Sequence, residues 1–243
     1  ASDLAYAGPD PLASSLRQGR TGTVAVVVEG RLGDAFGDPF ALSVLDGLAR
    51  ELDTIPAALL LLARVPGDDA RLLAQLTTAA CDAVVFPLCG PSDDPAVDLL
   101  AGRGIPMVGA GSPTDPRVPQ VLVDERGASA GVTRHLRDLG HRRIGHITMP
   151  LSSAATTRAI APGDIDAARY PDARGRALGV LDVAPGAWLV EAASLAITAG
   201  ERAARILLDT ASGTRPTAVV AQSDLLAAGA IRAAGDLGIR VPE

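Results

Sequence analysis

The stretch RPTAVVAQSDLLAAGAIRAAGDLGIRVP, residues 215–242, constrains the fold more than any other part of the chain. Ala218 to Ala221 is a small and β-branched apolar run, and Leu225, Gly229, Ala233 and Leu237 follow at helical spacing with Gly238 as the stop. A buried strand therefore runs through a short polar turn straight into a helix. Gln222, Ser223 and Asp224 fall at the carboxyl end of that strand, where open parallel sheets place their ligands, and Ser223 or Asp224 can also cap the helix. The turn is both a structural stop and a candidate ligand edge.

The same unit recurs along the chain. TVAVVV (23–28), ALLLLA (58–63), AVVFPL (83–88) and PMVGA (106–110) read as strands. Between them lie helical patterns at Leu42, Leu45, Ala49 and Leu52, at Leu72, Leu73, Leu76 and Ala80, and over 93–104, where Asp94 caps, Pro95 opens and Gly104 closes. After the Pro-rich turn 112–120 the series restarts with a short strand, VLVD, ending at Asp124. Ala128, Val132, Leu136 and Leu139 then share a helix face closed by Gly140, and IGHITM (144–149) is the next strand. Residues 150–186 carry no clean period and read as either a mobile loop region or a helix with an obscured pattern. Order returns with the strand AWLVE (187–191), after which Thr198 and Glu201 stand at capping-box spacing before a helix through Ala203, Ile206 and Leu207. Alternation of this kind implies an α/β fold of mostly parallel sheets flanked by helices, joined by right-handed crossovers. The crossing at 112–123 places a boundary near Val123, with one lobe at 21–123 and a second at 124–243, after a short lead over 1–20.

Composition narrows the function classes. A 243-residue chain that is 48% hydrophobic can bury one large core or two modest ones, and with only 2% aromatics the packing must be aliphatic. The formal charge of −6 argues against this portion wrapping nucleic acid unaided, because nonspecific affinity comes from basic groups that displace phosphate counterions. No apolar run reaches the length of a membrane span and ASDLAYAGPD lacks the order of a secretory signal, so a cytoplasmic location is expected. Cys81 and Cys89 bracket an extended segment too long for them to bond, and they read as reduced thiols. His135, His141 and His146 have no carboxylate or cysteine at ligand spacing, so neither a metal site nor a cofactor is expected.

The common catalytic motifs G-x-G-x-x-G, the Walker-type loop and H-E-x-x-H are missing. Asp68 with Asp69 and Asp93 with Asp94 precede helices, where caps explain them better than acid–base chemistry. A non-enzyme is the reading.

RPTA, the SD turn, the small-residue helix and GIRVPE, in that order, resemble the corresponding segment of the LacI/GalR family of bacterial transcription regulators. The likeness extends over nearly the whole chain and is weakest at 150–186. It implies a two-lobed periplasmic-binding-protein-like fold and a homodimeric, DNA-binding regulator, a repressor, whose effector, a sugar or sugar derivative, binds in the cleft between lobes. PDPLASSLRQGRTG is similar to the family's hinge helix and linker, which carry the effector signal to operator DNA. By position Leu16 is then the minor-groove wedge, Ala13 a groove contact, and Arg17 and Arg20 phosphate neighbours. ASDLAY matches only the end of the family's helix-turn-helix headpiece. Beyond Glu243 the resemblance implies further segments returning to both lobes, or a departure from the fold there.

The resemblance also marks an effector site. EGRLGDAFGDPF matches the segment that ends in (N/D)PF, so Asp38 and Phe40 face or flank the site, Phe40 either stacking on a sugar or plugging the loop onto its helix. Phe86 carries the same alternatives, with core packing preferred. Gly111 and Ser112 occupy a position where the family places a polar contact, and the glycine is a departure. MPLSSAATTR resembles the loop bearing serine contacts and an arginine, which gives Ser152, Ser153 and Arg158, the last either a fork on hydroxyls or a surface arginine. Ser194 and Leu195 precede the next helix at a further cleft position, Ser223 stands at the Asn/Ser contact, and Asp224 is better read as the cap. Two rivals stand beside this reading: a solute-binding protein of a transporter, on the same fold, and an enzyme on a doubly wound sheet.

Overall fold

A computed structural model describes residues 19–211 and 213–242. Among them no helix is long and apolar enough to cross a membrane, and no His, Cys, Asp and Glu cluster could hold a metal. The chain divides into two compact units, one taking the residues through Leu88 with Asp93–Val121, the other Cys89–Ser92 with the residues from Leu122.

In the first unit the elements run β1 (Thr23–Glu29), α1 (Leu32–Phe36), α2 (Pro39–Leu52), β2 (Ala58–Arg64), α3 (Asp69–Thr78), β3 (Ala83–Phe86), α4 (Pro95–Gly102) and β4 (Met107–Gly109). All four strands are parallel, in the order β2-β1-β3-β4, with Thr23 opposite Ala58 and Ala25 opposite Val84. Alternation along β1 explains the layers. Val26 and Val28 pack with Ala35, Ala41 and Leu45 of α1 and α2, whereas Ala25 and Val27 pack with Leu72 and Leu76 of α3 and Val97 and Leu100 of α4. Asp38, Asp68 and Asp94 cap α2, α3 and α4, accepting from the backbone N–H of Phe40, Arg71 and Ala96.

The second unit contains α5 (Glu125–Asp138), β5 (Ile144–Thr148), β6 (Arg158–Ile160), α6 (Pro162–Asp166), α7 (Pro171–Val183), β7 (Trp188–Glu191), α8 (Ile197–Leu208), β8 (Ala218–Ala221) and α9 (Asp224–Asp236). Its sheet order is β6-β7-β5-β8, parallel except for β6, which runs antiparallel to β7 at the edge. Ser92 N donates to Arg169 O at 2.9 Å and Cys89 packs on the core, which ties the short 89–92 segment into this unit. α8 and α9 lie backbone to backbone: a Cβ on Gly229 would sit 2.2 Å from Ile197 O, and one on Gly200 would sit 2.5 Å from Leu226 O. Only glycine permits that approach.

Four sequence expectations need correction. VLVD forms no strand; Val121, Leu122 and Val123 are exposed, and the nearest pairing is an isolated bridge between Gly109 and Gln120. Residues 150–186 are ordered into β6, α6 and α7, and α7 escapes hydrophobic periodicity because its buried face is Asp172, Ala173, Ala177, Gly179 and Val180. The capping box at Thr198 does not form: the cap is Ala196, two residues earlier, and Glu201 instead pairs with Arg232. Finally, Ser223 rather than Asp224 caps α9, since Ser223 has the extended backbone (φ −146°, ψ 160°) that lets its Oγ accept from Leu226 N.

Candidate functional site

Polar side chains are buried at a cost unless something meets them, so their distribution marks where the fold serves a purpose other than packing. Nine polar or charged residues are buried among the described residues, and seven of them, Arg64, Asp94, Ser112, Thr148, Asp172, Glu191 and Gln222, lie at the carboxyl edge of one or other sheet. The exceptions are Thr133 and His146. This is the edge where parallel α/β sheets bind ligands.

At the first unit's edge, β1 ends on Glu29 and β2 on Arg64. Arg64 is 4% exposed; its guanidinium meets Asp94, comes within 2.8 Å of a Glu29 carboxyl oxygen through Nε, and lies 3.4 Å from Asp69. Burial, with help from Asp94 and Asp69, pushes Glu29 up to about 8 against the pull of Arg64. Asp94 thus does double duty as helix cap and as counter-ion, and the second role was not visible in its sequence context. Asp38 is engaged as a cap, and Phe40 is 62% exposed, so it does not plug the loop. Phe86 is core. Gly111 takes a left-handed backbone (φ 84°) and Ser112 is buried beside it.

At the second unit's edge the loops after β5, β7 and β8 gather with the start of α7. Gln222 is the knot: its Oε1 accepts from Met149 N at 2.9 Å, while its Nε2 donates to Ala173 O and to His146 Nε2, each at 3.0 Å. Glu191 accepts from Leu151 N at 2.9 Å, and Arg169 N donates to Leu151 O at 2.8 Å. Arg176 forks onto Glu125 (2.5 and 3.0 Å) and donates to Gln222 O at 2.6 Å. Two buried groups there have no hydrogen-bond partner, the Thr148 hydroxyl and the Asp172 carboxyl, both of whose oxygens are bare of N–H and O–H donors. The Cys89 thiol touches Asp172, and burial and that carboxyl push its pKa well up, so it stays protonated.

The expected site residues of this unit fall at the same edge. Ser152 is half-buried, and Ser153, Ser194 and Leu195 are exposed. Ser223 accepts from Leu226 N, which leaves its proton to donate, and Asp224 is exposed as the first helical residue. Arg158, on the edge strand β6, bonds Asp164 at 3.0 Å and stands 3.5 Å from Glu191. Arg64, Asp172, Arg176 and Glu191 were missed by sequence reasoning; a proline followed by an acidic residue at 171–172, a helix-start signal, could have located α7 and with it Asp172.

The amino end of the first unit is separate. Asp82 accepts from Thr21 N (2.7 Å), Thr21 Oγ1 (2.9 Å) and Gly22 N (2.8 Å), fixing the residues that lead into β1, and these bonds hold its carboxyl below the usual range. A recess of about 290 Å³ beside it is lined by Arg20, Cys81, Asp82 and Ile105. Of the expected hinge residues, Arg20 is exposed, and Ala13, Leu16 and Arg17 lie outside the described residues.

Two parallel-sheet units, each with buried polar groups at the carboxyl edge, define a ligand-binding α/β protein of the periplasmic-binding-protein type. Residues 21–243 match the family of periplasmic binding proteins and the sugar-binding domain of LacI-type regulators, and the chain belongs to that family. It is 32% identical to an HTH-type transcriptional regulator of Mycolicibacterium smegmatis over 255 aligned positions, covering all of this chain and 69% of the relative. Among solved structures it is similar to a LacI-family regulator from Corynebacterium glutamicum (TM-score 0.80, 25% identity, 95% of this chain and 70% of that one). It is also similar to the transcriptional regulator CelR in complex with cellobiose (TM-score 0.74, 26% identity, 95% and 69%).

Proposed function

We propose that the chain is the core of a cytoplasmic, homodimeric DNA-binding repressor whose affinity for its operator is set by a small-molecule effector, a sugar or sugar derivative. The observation that carries this reading is the concentration of buried polar side chains at the sheets' carboxyl edges, in a member of this family. The cellobiose bound by the similar regulator CelR supports a carbohydrate as the class of effector. Ser152, Ser153, Ser194, Leu195 and Ser223 are the contacts proposed in the second unit, and Asp38, Phe40, Gly111 and Ser112 in the first. Arg158 acts by orienting Glu191 and Asp164, with a direct effector contact as the alternative role, and Asp224 contributes at the margin. A bound effector biases the protein toward one of two arrangements, and Ala13, Leu16, Arg17 and Arg20 of the hinge carry the difference to DNA.

A thermal-shift screen of mono- and disaccharides tests this. A compound present at about 100 times its Kd adds roughly 2.7 kcal/mol to stability, an easily read shift. The expected result is a hit that loses its effect in Ser223→Gly, a substitution that keeps most of the helix cap, and that alters the salt-dependent binding of the full regulator to DNA selected from a random pool. Hits indifferent to Ser223, or DNA binding indifferent to the hits, would refute the reading.

A further inference from the structure

Asp172 is 8% exposed, and no N–H or O–H group bonds either carboxyl oxygen. A fold gains nothing from such a group, because a carboxyl taken out of water without donors is among the costlier things to bury. Its position offers two ordinary remedies, and neither is used. It lies in the first turn of the 13-residue α7 without accepting from that turn's backbone N–H groups. One turn further on, Arg176 stands where it could pair with Asp172, yet its three nitrogens go to Glu125 and the Gln222 carbonyl. Arg158, on the edge strand β6, is taken by Asp164 and Glu191. Glu125 and Glu191 are therefore each matched by an arginine, and Asp172 is the surplus carboxylate. The polar group beside it is the Cys89 thiol, a weak donor kept protonated by its burial. Thr148, fully buried at the end of β5, adds a second unpartnered polar group to the same sheet edge.

We infer that Asp172 is the specificity-determining residue of the effector site: it accepts hydrogen bonds from hydroxyl or ammonium groups, and it turns the site toward neutral or amino sugars and against phosphorylated or carboxylated ones. This rests on the effector-site reading above. The chemistry is that of a carboxylate receiving one or two charge-assisted hydrogen bonds, beside arginines, Arg158 and Arg176, that already hold other carboxylates. A negatively charged ligand would be repelled by Asp172, and a neutral or cationic one would not.

The test uses the full-length regulator and matched probes: glucose, glucosamine and cellobiose, with glucose 6-phosphate and fructose 1-phosphate, measured by calorimetry on the parent, Asp172→Asn and Ser223→Gly. Neutral or amino sugars are expected to bind the parent, and the phosphates at least about tenfold more weakly. Asp172→Asn should weaken the sugar hit by about tenfold or more and shrink its preference over the phosphate. Without any sugar, Asp172→Asn should melt at or above the parent's temperature, since it removes a buried carboxylate that no N–H or O–H group in the protein satisfies. A phosphate that binds the parent as well as its sugar, an Asp172→Asn variant that binds the sugar like the parent, or a ligand-free variant that melts lower would each overturn the inference. A hit weakened by Ser223→Gly but not by Asp172→Asn sinks the role of Asp172 and leaves the effector site standing; a hit indifferent to both sinks the site.

Discussion

Acid should destabilise the second unit through one residue, His146. Its ring is fully buried in β5, with Nδ1 2.9 Å from the Val220 carbonyl and Nε2 3.0 Å from Gln222 Nε2. A carbonyl can only accept, so the partners assign the proton to Nδ1 and leave Nε2 to accept from the Gln222 amide. Protonating Nε2 would set donor against donor, and Gln222 cannot turn over without losing the bond from Met149 N to its oxygen. Burial drives the histidine from its ordinary 6.5 down to about 4, although the bond to Val220 opposes this. A depressed folded-state pKa means that the contribution is complete above the unfolded value of 6.5 and is lost as pH falls through 4. At about 1.4 kcal/mol per pH unit the whole loss is about 3 kcal/mol, and about 2 kcal/mol of it has gone by pH 5. Trp188, the single tryptophan, sits on β7 opposite Gly145 and reports unfolding of this unit by fluorescence. Urea titrations of the parent and His146→Gln between about pH 8 and pH 5 should therefore converge or cross by about 2 kcal/mol in relative stability, the other titrating groups cancelling in the difference. Parallel pH profiles for the two proteins would refute the argument, as would a proton NMR titration in which all three histidines titrate near neutrality.

The first unit should respond to base. Glu29 is raised to about 8, so its contribution is complete below 4.5 and lost as pH rises through 8; hydrogen exchange at Val26 to Val28 should quicken over that range in the parent and change less in Glu29→Gln. The glycines of α9 should separate by sign. Gly229→Ala is expected to cost about 2 to 3 kcal/mol because its methyl meets the Ile197 carbonyl, whereas Gly235→Ala, open on every side, should gain up to about 1 kcal/mol in helix propensity, both read from the urea midpoint of Trp188 fluorescence.

The strands were legible because their sequences are aliphatic runs with hardly a polar interruption, from Thr23 to Val28 and from Ala58 to Ala63, bounded by turn residues and caps such as Asp68 and Asp94. α7 was not, for a reason that lies in how it packs. A Cβ on its Gly179 would come within 2.2 Å of Arg126 O, so α5 and α7 approach through backbone and small side chains, and a helix buried on alanine and glycine shows no contrast between its faces. VLVD failed in the opposite direction: three apolar residues in sequence suggested burial, yet they stand exposed where the chain passes from one unit to the next.

The site divides along a similar line. Ser152, Ser194 and Ser223 can be placed from sequence because a residue just past a strand must lie at that sheet's carboxyl edge. Whether a charge at that edge is satisfied depends on partners from distant segments, and no local pattern carries it. Arg64 and Arg176 look alike as arginines near aliphatic runs. Arg64 collects acidic side chains from β1, α3 and the cap of α4, while Arg176 collects Glu125 and a carbonyl from α5 and the β8 turn and so leaves Asp172, only four residues away, unmatched. The buried acid at the first sheet's edge that meets Arg64, Asp94, is thus matched, whereas Asp172 at the second is not, and an unmatched carboxyl is where a ligand's own donors would change the balance most.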